Sequence, residues 1–226
     1  MRTGVGLSSA AEIVSDAAGF VLAGGASSRM GTDKALVSLS GRPLIEHSLA
    51  ILHEAGLNAS IAGARSSLTD IAPVVTDPTP DLGPLAGVCA ALASTCAQWA
   101  VLLSVDLPLI PASLISYLLR HARITGAAVT LAAANGFPQT FPAVIDRAML
   151  PGLSAELEAG RSGCFSAFRS AAASLAQNMA VLPVELLAQA GHAVHPAGLP
   201  AALWFVNVNT PADLERAERL AGAQIA

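Results

Sequence analysis

Charged residues are scarce in this chain, and no cluster of basic residues occurs along it. Only 12% of the 226 residues are Asp, Glu, Lys or Arg, and the formal net charge at pH 7 is −4. A nucleic-acid-binding surface needs a basic patch or stripe that matches the phosphate backbone. The composition therefore excludes a general nucleic-acid binder, whereas it is compatible with a small phosphorylated ligand that needs only two or three cations.

Cysteine is also rare, and its spacing matches no zinc or redox motif. The three cysteines, Cys89, Cys96 and Cys164, form no CxxC pair. Cys89 and Cys96 lie seven residues apart on one predicted helix, which is too far for a disulfide bond. We therefore expect buried free thiols, which are usual in a cytoplasmic protein.

Long, purely apolar segments are missing, although 53% of the residues are hydrophobic. The longest uncharged stretch lies between Asp81 and Asp106, contains glycine, proline and polar residues, and has acidic flanks. A membrane-spanning helix needs about 20 predominantly apolar residues with basic residues on its cytoplasmic side. We predict instead a buried helix over residues 85–95 and a buried strand over residues 99–105, in a soluble protein.

Strand-like and helix-like patterns alternate along most of the chain, which indicates an α/β fold with a mainly parallel sheet. The continuous apolar run over residues 99–105 is typical of a central strand covered by helices on both faces. Residues 1–18 lack the apolar core of a signal peptide, and we expect them to form a flexible extension of a single domain, 19–226. The other strands are predicted at residues 20–22, 59–62, 73–76, 127–133, 141–145, 180–184 and 203–206, and the other helices at 43–55, 111–123, 147–158, 163–174 and 210–223. Residues 186–200 are expected to be loop-rich. The last helix is predicted to begin at Thr210 as the N-cap, with Pro211 at N1 and Asp213 at N3.

The most informative stretch runs from Gly19 to Lys34 and has the sequence GFVLAGGASSRMGTDK. A short apolar strand leads into a glycine-rich loop, where the missing Cβ atoms let the backbone approach an anion closely. Consecutive N–H groups in such a loop bind anions, and Arg29 and Lys34 add positive charge. The stretch predicts a phosphate site, but an ordinary strand-to-helix turn would have the same pattern. It has neither the GKS or GKT ending of a P-loop nor a GxGxxG motif.

Four more polar residues follow predicted strands. Asp77 and Asp106 each come after a strand, and Asn207 and Asn209 follow a third. Ligands of parallel α/β sheets bind outside the carboxyl ends of the strands. A carboxylate at the end of an apolar strand is costly unless it is compensated, and Mg²⁺ is a natural partner for Asp106. Asp77 could contact a ribose or a base, and Asn207 and Asn209 could orient a phosphate or a metal-bound water. The alternative for each of these residues is a purely structural role in a helix cap or a turn.

These groups fit phosphoryl or nucleotidyl transfer. A metal ion and a lysine would neutralise charge on the α-phosphate and the leaving pyrophosphate while the site aligns the reacting groups. The reaction needs no protein nucleophile, and Ser27 and Ser28 lack the GxSxG context or a nearby histidine that hydrolysis would require. His192 and His195 have metal-ligand spacing but no third ligand, so we do not predict a metal site there.

Five motifs follow one another along the chain. They are LAGGxSxRMGxxK from Leu22, GxPLIE from Gly41, GPLAG from Gly83, DxP from Asp106 and NVNTP from Asn207. In this order the motifs resemble those of the molybdenum cofactor guanylyltransferase family. The resemblance implies a three-layer α/β/α sandwich with a mainly parallel, Rossmann-like sheet of the nucleotide-diphospho-sugar transferase type.

The resemblance also implies an activity, namely Mg²⁺-dependent transfer of GMP from GTP to the molybdopterin cofactor in the cytoplasm, with release of pyrophosphate. It suggests molybdoenzyme-assembly proteins as further partners, and neither nucleic acid nor a membrane. The residues it implicates are Leu22, Ala23, Gly24, Gly25, Lys34, Asp77 and Asp106 in nucleotide binding, Arg29, Lys34 and Asp106 in catalysis, Asp106 in Mg²⁺ binding, and Asn207 and Asn209 at the reaction centre.

Two departures from the family pattern concern the base and the acceptor. Ala62 and Gly63 occupy the region where family members often carry an asparagine that contacts guanosine, and Phe141-Pro142 replaces a common histidine-proline pair. The alternatives are cytidylyl transfer to the same cofactor, nucleotidyl transfer to another phosphate acceptor, and a non-catalytic nucleotide-binding accessory protein.

Overall fold

The structure of the protein, a computed structural model, describes residues 15–24, 33–63, 68–77 and 82–222. Strands and helices alternate through these ranges, as the sequence predicts. The elements are β1 Ala17–Leu22, β2 Ser38–Leu39, β3 Arg42–Pro43, α1 Leu44–Glu54, β4 Ala59–Ala62, β5 Val74–Val75, α2 Pro84–Ser94, β6 Trp99–Ser104, α3 Ala112–Thr125, β7 Val129–Ala134, β8 Phe137–Asp146, α4 Leu150–Glu158, α5 Cys164–Ser174, β9 Met179–Pro183, α6 Val184–Gln189 and α7 Pro211–Gly222.

Seven of the strands form one sheet in the order β5-β4-β1-β6-β8-β7-β9. Neighbouring strands are parallel except at β8, which runs antiparallel to both β6 and β7. The turn from β7 into β8 is Asn135-Gly136, with φ values of 53° and 80° that suit a tight hairpin. The predicted mainly parallel sheet is therefore confirmed.

Helices cover both faces of the sheet, and β6 shows why its sequence is apolar throughout. Val101 and Leu103 pack with α1 and α3 on one face, while Ala100 and Leu102 pack with α2, α4 and α5 on the other. All four side chains are 0% exposed. A strand buried on both faces needs apolar residues at every position, so its continuous apolar run correctly predicted a central place in a three-layer sandwich.

The chain enters the sheet earlier than the sequence pattern indicated. β1 begins at Ala17, inside the predicted extension, because Ala17 pairs with Trp99 and the Trp99 N–H donates to the Asp16 carbonyl at 2.9 Å. Arg123 of α3 binds the Asp16 carboxylate, with its Nε 2.9 Å from Oδ2. Residues 1–14 lie outside the described ranges, so the remainder of the predicted extension stays a prediction.

The predicted strand at residues 203–206 is wrong. The segment instead forms a 3₁₀ turn, Ala201–Leu203, followed by Trp204, which is 1% exposed and donates its indole N–H to the Leu199 carbonyl at 2.7 Å. A run of large apolar residues matches a strand pattern, but here it anchors a loop in the core on the α1 and α3 face.

Two smaller expectations also need correction. Cys96 is exposed and lies beyond the end of α2, whereas Cys89 and Cys164 are buried as predicted. Part of the segment expected to be loop-rich forms α6. None of the helices in the described ranges combines the length and the apolar character that a bilayer crossing requires.

Candidate active site

The carboxyl ends of three neighbouring strands lie level at one edge of the sheet. Leu22, the last residue of β1, is in register with Ala62 at the end of β4 and with Ser104 at the end of β6. Beyond these residues the chain stays tied across the edge, because the Ala23 N–H donates to the Ala62 carbonyl and the Val105 N–H to the Leu22 carbonyl, each at 3.1 Å. The loops that follow these strands therefore start side by side, where α/β sheets bind their ligands.

Three glycines let the chain segments at this edge approach closely. A Cβ added to Gly24 would lie 2.8 Å from the Gly63 carbonyl oxygen, and one added to Gly87 of α2 would lie 3.4 Å from the Leu22 side chain. Gly63 has a φ of +71°, which disfavours residues other than glycine. Gly24 is exposed, so this backbone is accessible to a ligand.

Lys34 joins three distant parts of the chain at the same edge. Its Nζ donates to Asp106 Oδ2 at 3.1 Å and to Asn209 Oδ1 at 2.5 Å. The side chains of Lys34 and Asp106 are only 16% and 20% exposed, so solvent screens this ion pair less than a surface pair. Lys34 is the only lysine in the sequence. The structure therefore brings together three of the residues that the sequence analysis singled out.

A capped 3₁₀ turn, Lys34–Leu36, presents the lysine. Asp33 caps the turn by accepting a hydrogen bond from the Ala35 N–H at 3.1 Å, and Ala35 is buried. The lysine therefore starts from an anchored backbone, while its long side chain can reach more than one partner.

Asp106 is held through both its backbone and its side chain. Its carbonyl accepts a hydrogen bond from the Val208 N–H at 3.0 Å, which ties the NVNTP segment to the end of β6. Its second carboxylate oxygen, Oδ1, accepts a hydrogen bond from Ser104 Oγ at 2.5 Å. The sequence analysis missed Ser104, whose only signal was a polar residue at the end of an otherwise apolar strand, because Asp106 lies in the turn beyond β6.

The two asparagines of the NVNTP segment have different surroundings. Asn209 contacts Lys34, whereas the exposed Asn207 amide is 3.5 Å from the Phe205 carbonyl. Asn209 is positioned by the start of α7, where Asp213 Oδ2 accepts hydrogen bonds from the N–H groups of Thr210 and Asn209 at 2.9 and 3.1 Å. The Thr210 hydroxyl and these N–H groups lower the pKa of Asp213. The predicted cap is confirmed, since the Asp213 N–H donates to Thr210 Oγ1 at 3.2 Å.

Asp77 follows β5 at the same edge and lies within electrostatic range of α2. Burial raises the pKa of the Cys89 thiol, a hydrogen bond with Ser154 lowers it, and the negative charge of Asp77 adds a smaller upward shift. The role predicted for Asp77 in nucleotide binding stays a prediction. Gly25 and Arg29 lie outside the described residues, and so does the rest of the glycine-rich loop up to residue 32.

The oxygens at this edge are of the kind that Mg²⁺ prefers. In the described ranges no three His, Cys, Asp or Glu side chains cluster as a metal site. Mg²⁺ does not need such a cluster, because it is usually bound by one or two carboxylates together with substrate phosphates and water. Asp106 and Asn209 already direct oxygen atoms at one cation, the Lys34 ammonium. The donor set therefore fits a hard divalent cation.

The family of the chain follows from comparison with known proteins. Residues 19–175 match the MobA-like NTP transferase domain, so the match takes in the glycine-rich loop, Lys34 and Asp106. The chain belongs to the MobA-like NTP transferase domain family. This result confirms the family that the order of the motifs predicted.

Two curated relatives and one solved structure illustrate the similarity. A probable molybdenum cofactor guanylyltransferase from Haloferax mediterranei is 30% identical over 207 residues, which are 87% of this chain and 90% of the relative. A molybdenum cofactor guanylyltransferase from Xanthomonas euvesicatoria pv. vesicatoria is 46% identical over 103 residues, 45% of this chain and 52% of that enzyme. The chain thus matches about half the length of the Xanthomonas enzyme.

The crystal structure of molybdopterin-guanine dinucleotide biosynthesis protein A from Archaeoglobus fulgidus superposes with a TM-score of 0.73 at 22% identity. The match covers 91% of this chain and 98% of the archaeal one. At this identity the similarity shows the fold alone. It confirms that the MobA-like chain has the Rossmann-like α/β/α architecture predicted from its sequence.

Proposed function

We propose that this MobA-like transferase transfers GMP from GTP to the molybdopterin cofactor and releases pyrophosphate. The observation that carries the proposal is the convergence of Lys34, Asp106 and Asn209 at the carboxyl edge of the sheet. A nucleoside triphosphate site needs positive charge for the phosphates, a carboxylate for a metal ion and a backbone that the ligand can approach. Lys34, Asp106 and the closely packed glycine backbone are suited to these roles. The names of the curated relatives support guanine as the base and the molybdenum cofactor as the acceptor.

The nucleoside would lie against the backbone of residues 22–24 and the triphosphate would point towards Lys34. A phosphate oxygen of the acceptor would attack the α-phosphorus of GTP as the bond to the β-phosphate oxygen breaks, so that pyrophosphate leaves. Charge then accumulates on the leaving group, and a pre-positioned ammonium is well suited to stabilise it. Because the Lys34 side chain is flexible, its ammonium can leave the Asp106 carboxylate and bind a phosphate oxygen instead. Arg29 is proposed to bind the same phosphates.

Mg²⁺ is proposed as the cofactor, with Asp106 and the amide oxygen of Asn209 as protein ligands. When bound it would neutralise phosphate charge in the transition state. Asp106 is suited to this role because its backbone is held by Val208 and its carboxylate by Ser104 and Lys34.

Cytidylyl transfer is the second candidate, and one observation favours considering it. The strand β4 ends at Ala62, and neither Ala62 nor the following Gly63 has a polar side chain that could contact a guanine base. The backbone of Gly63 faces Gly24 instead. Base choice would then depend on backbone groups or on other side chains.

Pyrophosphate release from GTP and from CTP, each with and without molybdopterin, tests these candidates. We expect release with GTP, dependent on molybdopterin and Mg²⁺, and its loss in Asp106→Asn with the fold intact. Glu218→Gln removes an exposed carboxylate on α7 and serves as the matched control. Release with CTP alone would replace guanylyl by cytidylyl transfer. No release with any nucleotide would refute an enzymatic function.

We also propose the cytoplasm as the compartment and molybdoenzyme-assembly proteins as the recipients of the product. All three cysteines are free, as is usual in a reducing compartment. Co-purification of the chain with a molybdoenzyme-specific chaperone would test the partner, and cell fractionation would test the compartment.

A further inference from the structure

The strand β6 changes character at its last residue. On the face that packs against α2, α4 and α5, Ala100 and Leu102 are apolar and fully buried, and Ser104 is the next residue on that face. Ser104 is half-buried, and its hydroxyl donates to Asp106 Oδ1 at 2.5 Å. A polar residue therefore replaces the apolar pattern at the end of the strand, where its hydroxyl reaches the Asp106 carboxylate.

The two oxygens of the Asp106 carboxylate have different partners. Ser104 Oγ binds Oδ1 and Lys34 Nζ binds Oδ2. The last side-chain torsion of aspartate is broad, so a carboxylate without such partners could rotate and exchange its two oxygens. Lys34 is proposed to move towards the triphosphate when the nucleotide binds. Among the described side chains, the Ser104 hydroxyl would then be the contact that keeps the carboxylate oriented.

The backbone on either side of this contact is anchored independently of the hydroxyl. Ser104 is in register with Leu22, the Val105 N–H donates to the Leu22 carbonyl at 3.1 Å, and the Asp106 carbonyl accepts from Val208. The Ser104 hydroxyl therefore contributes little to holding the strand. Its main effect is on the orientation of the Asp106 carboxylate.

We infer that Ser104 is a positioning residue for the nucleotidyl transfer, which orients Asp106 so that Oδ2 is presented to the divalent cation and the nucleotide. The inference rests on the proposed function, because it takes Asp106 as the cation ligand. It extends the proposed function because it assigns a role to a residue outside the five motifs that carry the family resemblance. Groups that hydrogen-bond to metal ligands typically contribute about 10- to 100-fold to metal affinity or activity.

Direct cation binding tests the inference without relying on turnover. Mn²⁺ binding would be followed by the electron paramagnetic resonance of free Mn²⁺, in the presence of a GTP analogue with a non-cleavable α,β-methylene bridge, and compared with protein-free mixtures of Mn²⁺ and the analogue, because the triphosphate itself binds Mn²⁺. We expect Ser104→Ala to bind Mn²⁺ about 10- to 100-fold more weakly and Ser104→Thr, which keeps the hydroxyl, to restore most of the affinity. Ser116→Ala is the matched control, because Ser116 donates its hydroxyl to the Ala112 carbonyl on the exposed surface of α3.

Kinetics provide a second measurement, since Ser104→Ala should raise the Mg²⁺ concentration at half-maximal rate more than it raises the KM for GTP. Thermal unfolding should give nearly the same Tm for the native chain, Ser104→Ala and Ser116→Ala. Equal Mn²⁺ affinity in the native chain and in Ser104→Ala would overturn the inference. Weak binding in Ser104→Thr as well would overturn the role of the hydroxyl.

The Asp106→Asn variant distinguishes failure of the inference from failure of the proposed function. If Asp106→Asn binds Mn²⁺ as tightly as the native chain does, Asp106 is not a cation ligand, and the positioning role inferred for Ser104 is refuted as well. If Asp106→Asn loses Mn²⁺ while Ser104→Ala retains it, the proposed function stands and Ser104 has no positioning role.

Discussion

The close approach of Gly24 to Gly63 leads to a quantitative prediction for Gly24→Ala. A Cβ at residue 24 would lie 2.8 Å from the Gly63 carbonyl oxygen, whereas an ordinary contact begins at 3.4 Å, so the two segments must separate by about 0.6 Å. The atom in the way is backbone, which cannot rotate aside as a flexible side chain could. Overpacking of this kind costs about 1–3 kcal/mol of folding free energy. For a chain of this size each kcal/mol lowers Tm by about 2–4 °C.

The same substitution should weaken the proposed nucleotide site. A misplacement of about 1 Å near a reaction centre can cost about 10²-fold in rate, so we expect roughly a tenfold loss in kcat/KM for the smaller displacement here. Thermal unfolding would measure the loss of stability, pyrophosphate release the loss in kcat/KM, and calorimetry the accompanying loss of GTP affinity. The loss of GTP affinity should be measurable at temperatures where the variant is fully folded, because the displaced backbone borders the proposed nucleotide site.

Two further glycine variants separate the causes. Gly63→Ala places its Cβ at an ordinary 3.5 Å from the Gly24 Cα, so its cost comes from the φ of +71° and should be about 1–2 kcal/mol. Gly222→Ala has no atom within 4 Å of the new Cβ and serves as the control. If Gly24→Ala matched Gly222→Ala in both Tm and GTP affinity, the close approach of the two loops would be refuted.

Substitutions at Lys34 and at Glu156 test two of the charged groups. Lys34→Met should lower kcat by about 10²- to 10³-fold while the protein stays folded. Lys34→Arg should not restore the rate, because a planar guanidinium differs from an ammonium in shape and hydration. Stopped-flow or steady-state pyrophosphate release measures these rates, and a native rate in either variant would contradict the proposed role of Lys34 in stabilising the leaving pyrophosphate. Glu156→Gln tests an ion pair away from the site: hydrogen bonds from Arg161, then from Ser170, lower the pKa of Glu156 from 4.5 to about 2. A carboxyl group whose pKa is lowered by folding stabilises the folded state at pH values above its unfolded-state pKa. This stabilisation is lost as the pH falls towards the folded-state pKa. The native Tm should therefore fall more steeply than that of Glu156→Gln between about pH 4.5 and 2, and parallel pH profiles would show that this pair contributes nothing.

Local patterns along the chain were sufficient for most of the secondary structure. The apolar run of β6 predicted a strand buried on both faces, and Thr210 with Asp213 predicted the start of α7, because each signal arises from neighbours in sequence. The strand predicted at residues 203–206 was wrong because that prediction also relied only on neighbours in sequence. Large apolar side chains are required both in a strand and in a loop that inserts its side chains into the core, and only tertiary packing distinguishes the two.

The sequence by itself determined the class of fold, the family, and Lys34, Asp106 and Asn209 as candidate site residues. Only the tertiary structure decided which of the candidates meet. Lys34 is 72 residues from Asp106 and 175 from Asn209, and their contact depends on the strand order of the sheet and on the hydrogen bond from Val208 to Asp106. The structure also revealed Ser104, whose side chain matters because of the direction in which it points. Periodicity encodes which face a residue occupies, but the distance between two faces or loops depends on how the whole chain packs.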